Sequence, residues 1–346
     1  MPTPATISTC SPNPLSWRWY EPETISQIRW LFHTETPNSR FESIIKRPNL
    51  ARIRCTFDCV DQSIQERADL MIAHSDRTTF WTSLAMSLRQ TEIPLLSYSF
   101  NLPSLPTGAR LYGLKQAVKR VQRFVVHSEL ERQTYAAYLD IPLDRIDVVR
   151  WGVKIPSVQQ DSEPHIQGSY ICAIGKDRRD SPTLVRAMEQ LPELKLVIVA
   201  QPHNFSPDLK LPSNVEVLYD IPLELAMNVL QHSQLMTLPL QGEKIACGHI
   251  TIVWAMLYHK AFVATRSAGL SDYIPDQYEA PQVEAGDVTG WVKALRLMVE
   301  DTPRRERCED LGDHFARTYC SHAAALQGCC DVLRKEGIKI ELNELS

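Results

Sequence analysis

The sequence predicts an α/β protein built from two doubly wound domains, and three observations carry that prediction. Short apolar runs alternate with stretches of helical periodicity along most of the chain. The alternation breaks once, at the polar, proline-containing stretch KIPSVQQDSEPHIQGS, residues 154–169. A length of 346 residues with 44% hydrophobic content suffices for two packed cores. The expected division is residues 1–155, a linker at 156–168, a second domain at 169–335 and a tail at 336–346.

Residues 1–24 read as an irregular lead-in punctuated by Pro2, Pro4, Pro12, Pro14 and Pro22. IRWLFH (28–33) reads as a strand, 39–46 as a short helix and RIRCTFDCV (52–60) as another strand. ADLMIAHS (68–75), a helix at 76–90, IPLLSYSF (93–100), a helix at 109–122, RFVVHS and a helix at 129–139 continue the alternation, which RIDVVRWGV (145–153) closes. From Tyr170 it restarts: strands at 170–174, 194–200, 215–220, 235–239 and 261–265, with helices at 182–191, 222–232 and 249–258. Helices near 288–300 and 303–335 follow.

Composition removes several classes of function. A net charge of −4 argues against general nucleic-acid binding. No segment has the roughly 18 unbroken apolar residues of a spanning helix, and the N-terminus lacks the basic-then-apolar pattern of a secretory signal. Nine cysteines show no metal-ligand spacing: Cys55 and Cys59 have no matching pair, and Cys329 and Cys330 are adjacent in a helical pattern. They are expected to be reduced, mostly buried thiols of a cytoplasmic protein that holds no zinc. The helix at 109–122 and the residue after it carry Arg110, Lys115, Lys119, Arg120 and Arg123. A solvated outer face is the simpler reading; peripheral contact with an anionic membrane, on its inner face, is the alternative.

Two stretches point to an anion site. In ICAIGKDRRDSPTLVRAM (171–188), an apolar run ends at Gly175 and a helical face follows, so Lys176, Arg178 and Arg179 sit on a strand-to-helix turn. Open α/β sheets present ligand groups at such turns. In GHITIVWAMLYHKAFVAT (248–265), Gly248 precedes a helix whose free N–H groups and dipole favour a phosphate. Alone, the first stretch reads as a solvated basic turn and the second as an ordinary buried helix; together, in one domain, they indicate phosphate. No glycine precedes Gly108, so the first half lacks a glycine-rich dinucleotide turn and the second half is the expected nucleotide domain.

Three blocks, RFVVHSELERQTYAAYLDIPLDRIDVVRWGV, AIGKDRRDSPTLVRAM, and CGHITIVWAM followed by YHKAFVATRSAGLSDYI, resemble in order and spacing those of nucleotide-sugar glycosyltransferases of GT-B architecture, closest to glycosyltransferase family 4. The resemblance spans roughly residues 93–335. It implies two Rossmann-like domains facing a cleft, a last helix returning to the first domain, and sugar transfer with retention from a nucleoside diphosphate sugar. The co-substrate is then a nucleotide sugar, the acceptor a sugar, lipid-linked or small molecule, and no cofactor is needed. The chain contains no Asp-x-Asp pair, so no essential metal is expected.

Carried over by position, the resemblance puts the diphosphate grip on Gly175, Lys176 and Arg179. The glycine turn with its helix amides falls on Cys247, Gly248, His249 and Ile250, with Thr251 close by, and the base-contacting loop near Tyr219, Ile221 and Pro222. Arg178 reads as a surface charge. The chain departs from the family pattern where Trp254 replaces a carboxylate that holds the donor ribose, where Ile245 replaces one that holds the donor sugar, and where His259 and Ala261 replace a glycine and a proline. Glu243, two residues before Ile245, is the candidate substitute. In the first domain His33, Ser99, Asn101 and Ser128 are the polar residues at strand ends where an acceptor would bind. Two other readings stay open: a catalytically silent protein of this architecture acting as a nucleotide-sugar sensor or partner subunit, and a nucleotide-sugar epimerase.

Overall fold

The computed structural model describes residues 5–11, 28–34, 49–102, 104–154, 163–175, 178–205, 209–244 and 246–340. The chain divides into two compact units, Met1–Val149 with Leu326–Ser346, and Arg150–Ala325.

The first unit is built on a parallel sheet of six strands: β1 (Ala5–Ser11), β2 (Ile28–Thr34), β3 (Leu70–His74), β4 (Leu95–Tyr98), β5 (Arg123–Val126) and β6 (Ile146–Val148), in the order β2-β1-β3-β4-β5-β6. Its helices are α1 (Leu50–Gln65), α2 (Ser75–Arg89), α3 (Gly108–Val118) and α4 (Glu129–Leu139). The two-residue period of each strand sorts side chains to opposite faces. Cys10, Met71, Ala73, Leu95, Phe124 and Val126 pack on one side with Cys55, Cys59 and Val60 of α1. Ile7, Leu70, Ile72, Leu96 and Val125 pack on the other with Leu326, Cys330 and Leu333 of the last helix.

The structure corrects two expectations here. The supposed lead-in contains β1, inside the sheet between β2 and β3. Its Ser and Thr content suggests a loop, yet Thr6 to Ser11 are all buried, and Thr9 satisfies its hydroxyl on His74 Nε2 at 2.9 Å. The expected strand at 52–60 is helix α1. Ile53, Cys55, Phe57 and Cys59 mimic a two-residue period, but the buried set Ala51, Cys55, Thr56, Cys59, Val60 and Ser63 has helical spacing, and Asn49 caps the helix by accepting from Arg52 N at 3.0 Å. The expected helix at 39–46 lies outside the described residues.

The second unit repeats the scheme with β7 (Ile171–Ile174), β8 (Leu196–Ala200), β9 (Val215–Tyr219), β10 (Leu235–Leu238), β11 (Phe262–Thr265) and the short β12 (Gln282–Val283). The order β12-β11-β10-β7-β8-β9 is the doubly wound order that reverses between β7 and β10. Its helices are α5 (Ser181–Met188), α6 (Leu223–His232), α7 (His249–Leu257), α8 (Val288–Glu300) and α9 (Thr302–Tyr319). Cys172, Met236, Leu238 and Phe262 face one core, and Ile171, Ala173, Leu196 and Val263 the other. The helix expected over 303–335 is two helices, α9 and α10 (His322–Lys335), with Cys320 ending the first.

Among the described residues no helix is long and apolar enough to cross a membrane. The cations around α3 largely have protein partners. Lys115 pairs with Asp140 at 2.6 Å, Arg120 reaches Ser87 Oγ and the Thr91 carbonyl, and Arg123 holds Asp147 and Glu336.

Candidate functional site

The loops that follow β7 and β10 flank the point where the strand order of the second unit reverses. Such switch points leave a crevice at the carboxyl ends of the strands. Arg179 bridges to Leu240, with Asp180 N donating to Pro239 O at 3.1 Å and Gln241 N to Arg178 O at 3.1 Å, so backbone pairing locks the two loops together. Arg178 adopts a φ of 56° at this turn. Asp180 then starts α5, its carboxylate accepting from Thr183 N at 3.3 Å.

The Arg179 guanidinium lies over Gly175 and reaches the start of α7. It donates to Cys247 Sγ at 3.4 Å and to Thr251 Oγ1 at 3.1 Å. Gly175 has a φ of 153°, and a Cβ there would lie 2.2 Å from Arg179 Nε, so glycine is what lets the guanidinium settle on the strand end. Gly248, the N-cap of α7, has a φ of 93° and meets the Leu238 side chain so closely that a Cβ would lie 2.7 Å from it. No side chain caps α7 and no acidic residue occupies its first turn.

A cation at a helix N-terminus opposes the helix dipole. Arg179 and the leading amides of His249, Ile250 and Thr251 therefore add their positive potential in one place, and an anion is the group that both stabilise. The described contacts thus bring together Gly175, Arg179, Cys247, Gly248 and Thr251. Lys176 and Ile245 lie outside the described residues.

The His249 side chain belongs to the frame. Its Nε2 donates to the Gly269 carbonyl at 2.7 Å and its ring stacks on Tyr273 at 4.6 Å, while burial pushes the imidazole down to about 4. Glu243 keeps an exposed side chain on a loop whose backbone is fixed: its carbonyl accepts from Ala268 N at 2.8 Å and Ser267 Oγ at 3.1 Å. Ser267 also accepts from Gly269 N, so the turn after β11 braces both the Glu243 loop and His249. Tyr219 is 45% exposed at the end of β9, its ring set edge-on to Phe205 at 6.0 Å, and Ile221 is half-buried in the loop beyond. No described hydrogen bond joins Glu243, Tyr219 or Ile221 to the Arg179 cluster. Trp254 packs, partly buried, against the core beneath α7. Of the nine free cysteines eight are buried, and the half-buried Cys247 is the one beside Arg179.

In the first unit three of the four expected residues gather at the ends of β4 and β5, around two groups that the sequence reading missed. Ser99 Oγ lies 2.8 Å from His127 Nε2, and His127 Nδ1 lies 2.7 Å from the Val149 carbonyl. Asn101 Nδ2 donates to Glu131 Oε1 at 2.8 Å, while Ser128 Oγ and His127 N donate to Oε2 at 2.9 and 3.1 Å. Burial pushes the Glu131 carboxyl up, against the pull of these donors. Ser128 caps α4 and Glu131 answers it, the Ser-x-x-Glu spacing that marks a capping box; that spacing was the available signal. His33 stands apart: burial pushes its imidazole down, and its neighbours are Asp58 and Gln62 of α1.

Two doubly wound units with parallel sheets, the second carrying a basic strand-to-helix turn and an uncapped helix start, constitute the GT-B architecture of nucleotide-sugar glycosyltransferases. Solved structures of that class superpose on nearly the whole chain. A glycosyltransferase from Rickettsia africae gives a TM-score of 0.73 at 13% identity, covering 96% of this chain and 98% of its own. Anabaena HepE in complex with UDP-glucose gives 0.73 at 14% identity, covering 95% and 99%. A UDP-forming trehalose-phosphate synthase from Burkholderia xenovorans gives 0.68 at 12%, covering 97% and 100%. No family model matches the sequence, and no curated protein does. At these identities the likeness is one of fold.

Proposed function

We propose that the chain is a glycosyltransferase that takes its sugar from a nucleoside diphosphate donor bound by the second unit, without a metal and with retention of configuration. The observation that carries this reading is the Arg179 guanidinium set against the uncapped start of α7, beside the switch point of the sheet. The fold shared with HepE, whose complexes hold UDP-glucose, supports it.

The diphosphate would lie on Arg179 and the α7 amides, with Lys176 as the second cation. The acceptor hydroxyl oxygen bonds to the anomeric carbon as the bond from that carbon to the terminal phosphate oxygen breaks, and the hydroxyl proton passes to the departing diphosphate on the same face. The protein stabilises the charge gathering on the leaving group; no protein nucleophile takes part. One unit charge at about 4 Å contributes about 4 kcal/mol at an effective dielectric near 20. Trp254 removes the usual carboxylate grip on the ribose, so the donor is held chiefly through its diphosphate.

The test is release of nucleotide from UDP-, GDP- and ADP-glucose with a panel of acceptors, with and without EDTA. Turnover that survives EDTA and falls about 10²- to 10³-fold in Arg179→Ala is the expected result. Full activity in the variant would remove Arg179 from the chemistry, and loss of activity in EDTA would remove the metal-free mechanism.

A further inference from the structure

The first unit buries three thiols in one place. Cys10 lies on β1, while Cys55 and Cys59 are four residues apart on α1 and so share one helix face, the face packed against that strand. None of the three is more than 2% exposed. Cys10 Sγ lies 3.0 Å from Cys55 Sγ, and Cys59 is close enough to interact with the Cys10 thiol. A disulfide bond is about 2.05 Å long, so the Cys10 and Cys55 sulfurs have about 1 Å to close.

The two residues are 45 positions apart in sequence. An unfolded chain seldom brings them together; the fold holds them in contact, which favours closure. Hydrogen bonding to Cys55 and Cys59, followed by burial, pushes the Cys10 thiol up. Thiolates are therefore scarce in the closed fold, and exchange with an external disulfide proceeds through local opening. The same burial shields the product from reductant, so a bond formed here forms slowly and persists.

We infer that Cys10 and Cys55 are a thiol pair that a glutathione-type disulfide oxidises to an intramolecular disulfide, latching β1 to α1. One protein thiolate attacks glutathione disulfide, giving a mixed disulfide and one released glutathione. The second protein thiolate attacks the protein sulfur of the mixed disulfide and releases the other glutathione. Two protein thiols lose two electrons and two protons, and one glutathione disulfide takes them up as two thiols. The latch lies in the unit without the Arg179 cluster and does not depend on the donor reading.

The experiment equilibrates the full chain, native and in urea, with glutathione buffers of increasing oxidised share, then quenches with acid, alkylates free thiols and digests with trypsin. Cys10 falls in peptide 1–18, and Cys55 and Cys59 fall in peptide 55–67. The native chain should yield the cross-link between these peptides at an oxidised share about 10-fold lower than the chain in urea requires, a comparison that needs no variant. The cross-link should persist in Cys59→Ala and fall about 10-fold in Cys55→Ala, with the Tm of each reduced variant confirming that it folds. The oxidised wild type should also melt at a higher temperature than the reduced one. No cross-link in the native chain, equal yield in urea, an undiminished cross-link in folded Cys55→Ala, or a Tm that does not rise on oxidation overturns the inference.

Discussion

The carboxyl ends of the two sheets carry different side-chain sets on the same six-stranded parallel scheme. In the second unit the strand ends offer donors: a guanidinium seated on glycine and a helix start left uncapped. In the first unit the polar side chains there bond to one another, Ser99 to His127 and both Asn101 and Ser128 to Glu131. The difference also shows in the helix starts. Ser128 and Glu131 close the N-terminus of α4 from within, whereas α7 begins at a left-handed glycine with no side-chain cap and with the Arg179 guanidinium beside it. A backbone scheme common to both units therefore says little about what each binds; the side chains that cap or fail to cap the helices say most.

The largest expected effect breaks the donor side. Gly175→Ala places a methyl where the Arg179 guanidinium lies, and since that group is the end of a flexible side chain, the fold survives and the cation moves. The transfer rate should fall as far as in Arg179→Ala, about 10²-fold or more, and nucleoside diphosphate affinity at least 10-fold, beside a stability cost of about 1–3 kcal/mol for a side chain at a φ of 153°. Retained affinity in the glycine variant would show that the seating of Arg179 is irrelevant.

Next is the frame beneath it. Gly248→Ala would strain a backbone at a φ of 93° and press on Leu238, at a cost of about 1–3 kcal/mol, readable in urea unfolding. The acceptor side has its own frame: Ser128→Ala removes the cap of α4 and one donor to the buried Glu131, with an expected loss of about 1–2 kcal/mol and no change in nucleotide affinity.

A further prediction concerns pH. His249 is buried with its imidazole pushed down to about 4, against the usual 6.5. The unfolded chain therefore binds more protons between those values, and stability rises with pH across that window. The contribution is fully present above about 6.5 and is lost as the pH falls towards 4, up to about 3 kcal/mol for this one group. His249→Gln should flatten that part of the profile; an unchanged slope would assign it to other groups.

Much of the fold was legible because strands buried on both faces and helices with one buried face leave different periods in the sequence. The helices 129–139 and 288–300 are found where the alternation of periods places them. The exceptions have physical causes. β1 is made of small hydroxyl residues whose burial depends on partners such as His74, 65 residues away. In α1 two cysteines four apart serve a helix face as well as an apparent strand alternation. At the sites, Gly175, Arg179, Gly248 and Thr251 could be found because turn and helix signals are local. The roles of His127 and Glu131 could not, because they arise from contacts between loops 28 and 30 residues apart.

The central claim is that an anion joins Arg179 to the start of α7, and calorimetric titration of UDP, GDP and ADP tests it most directly. It compares the wild type, Arg179→Ala and the Lys176→Ala, Arg179→Ala double variant, all without divalent metal. The account predicts that the wild type binds at least one of the three, that Arg179→Ala binds it at least 10-fold more weakly, as expected for a lost charge-assisted contact, and that the double variant binds none. Equal binding by wild type and double variant, or no nucleotide binding by the wild type, would contradict it.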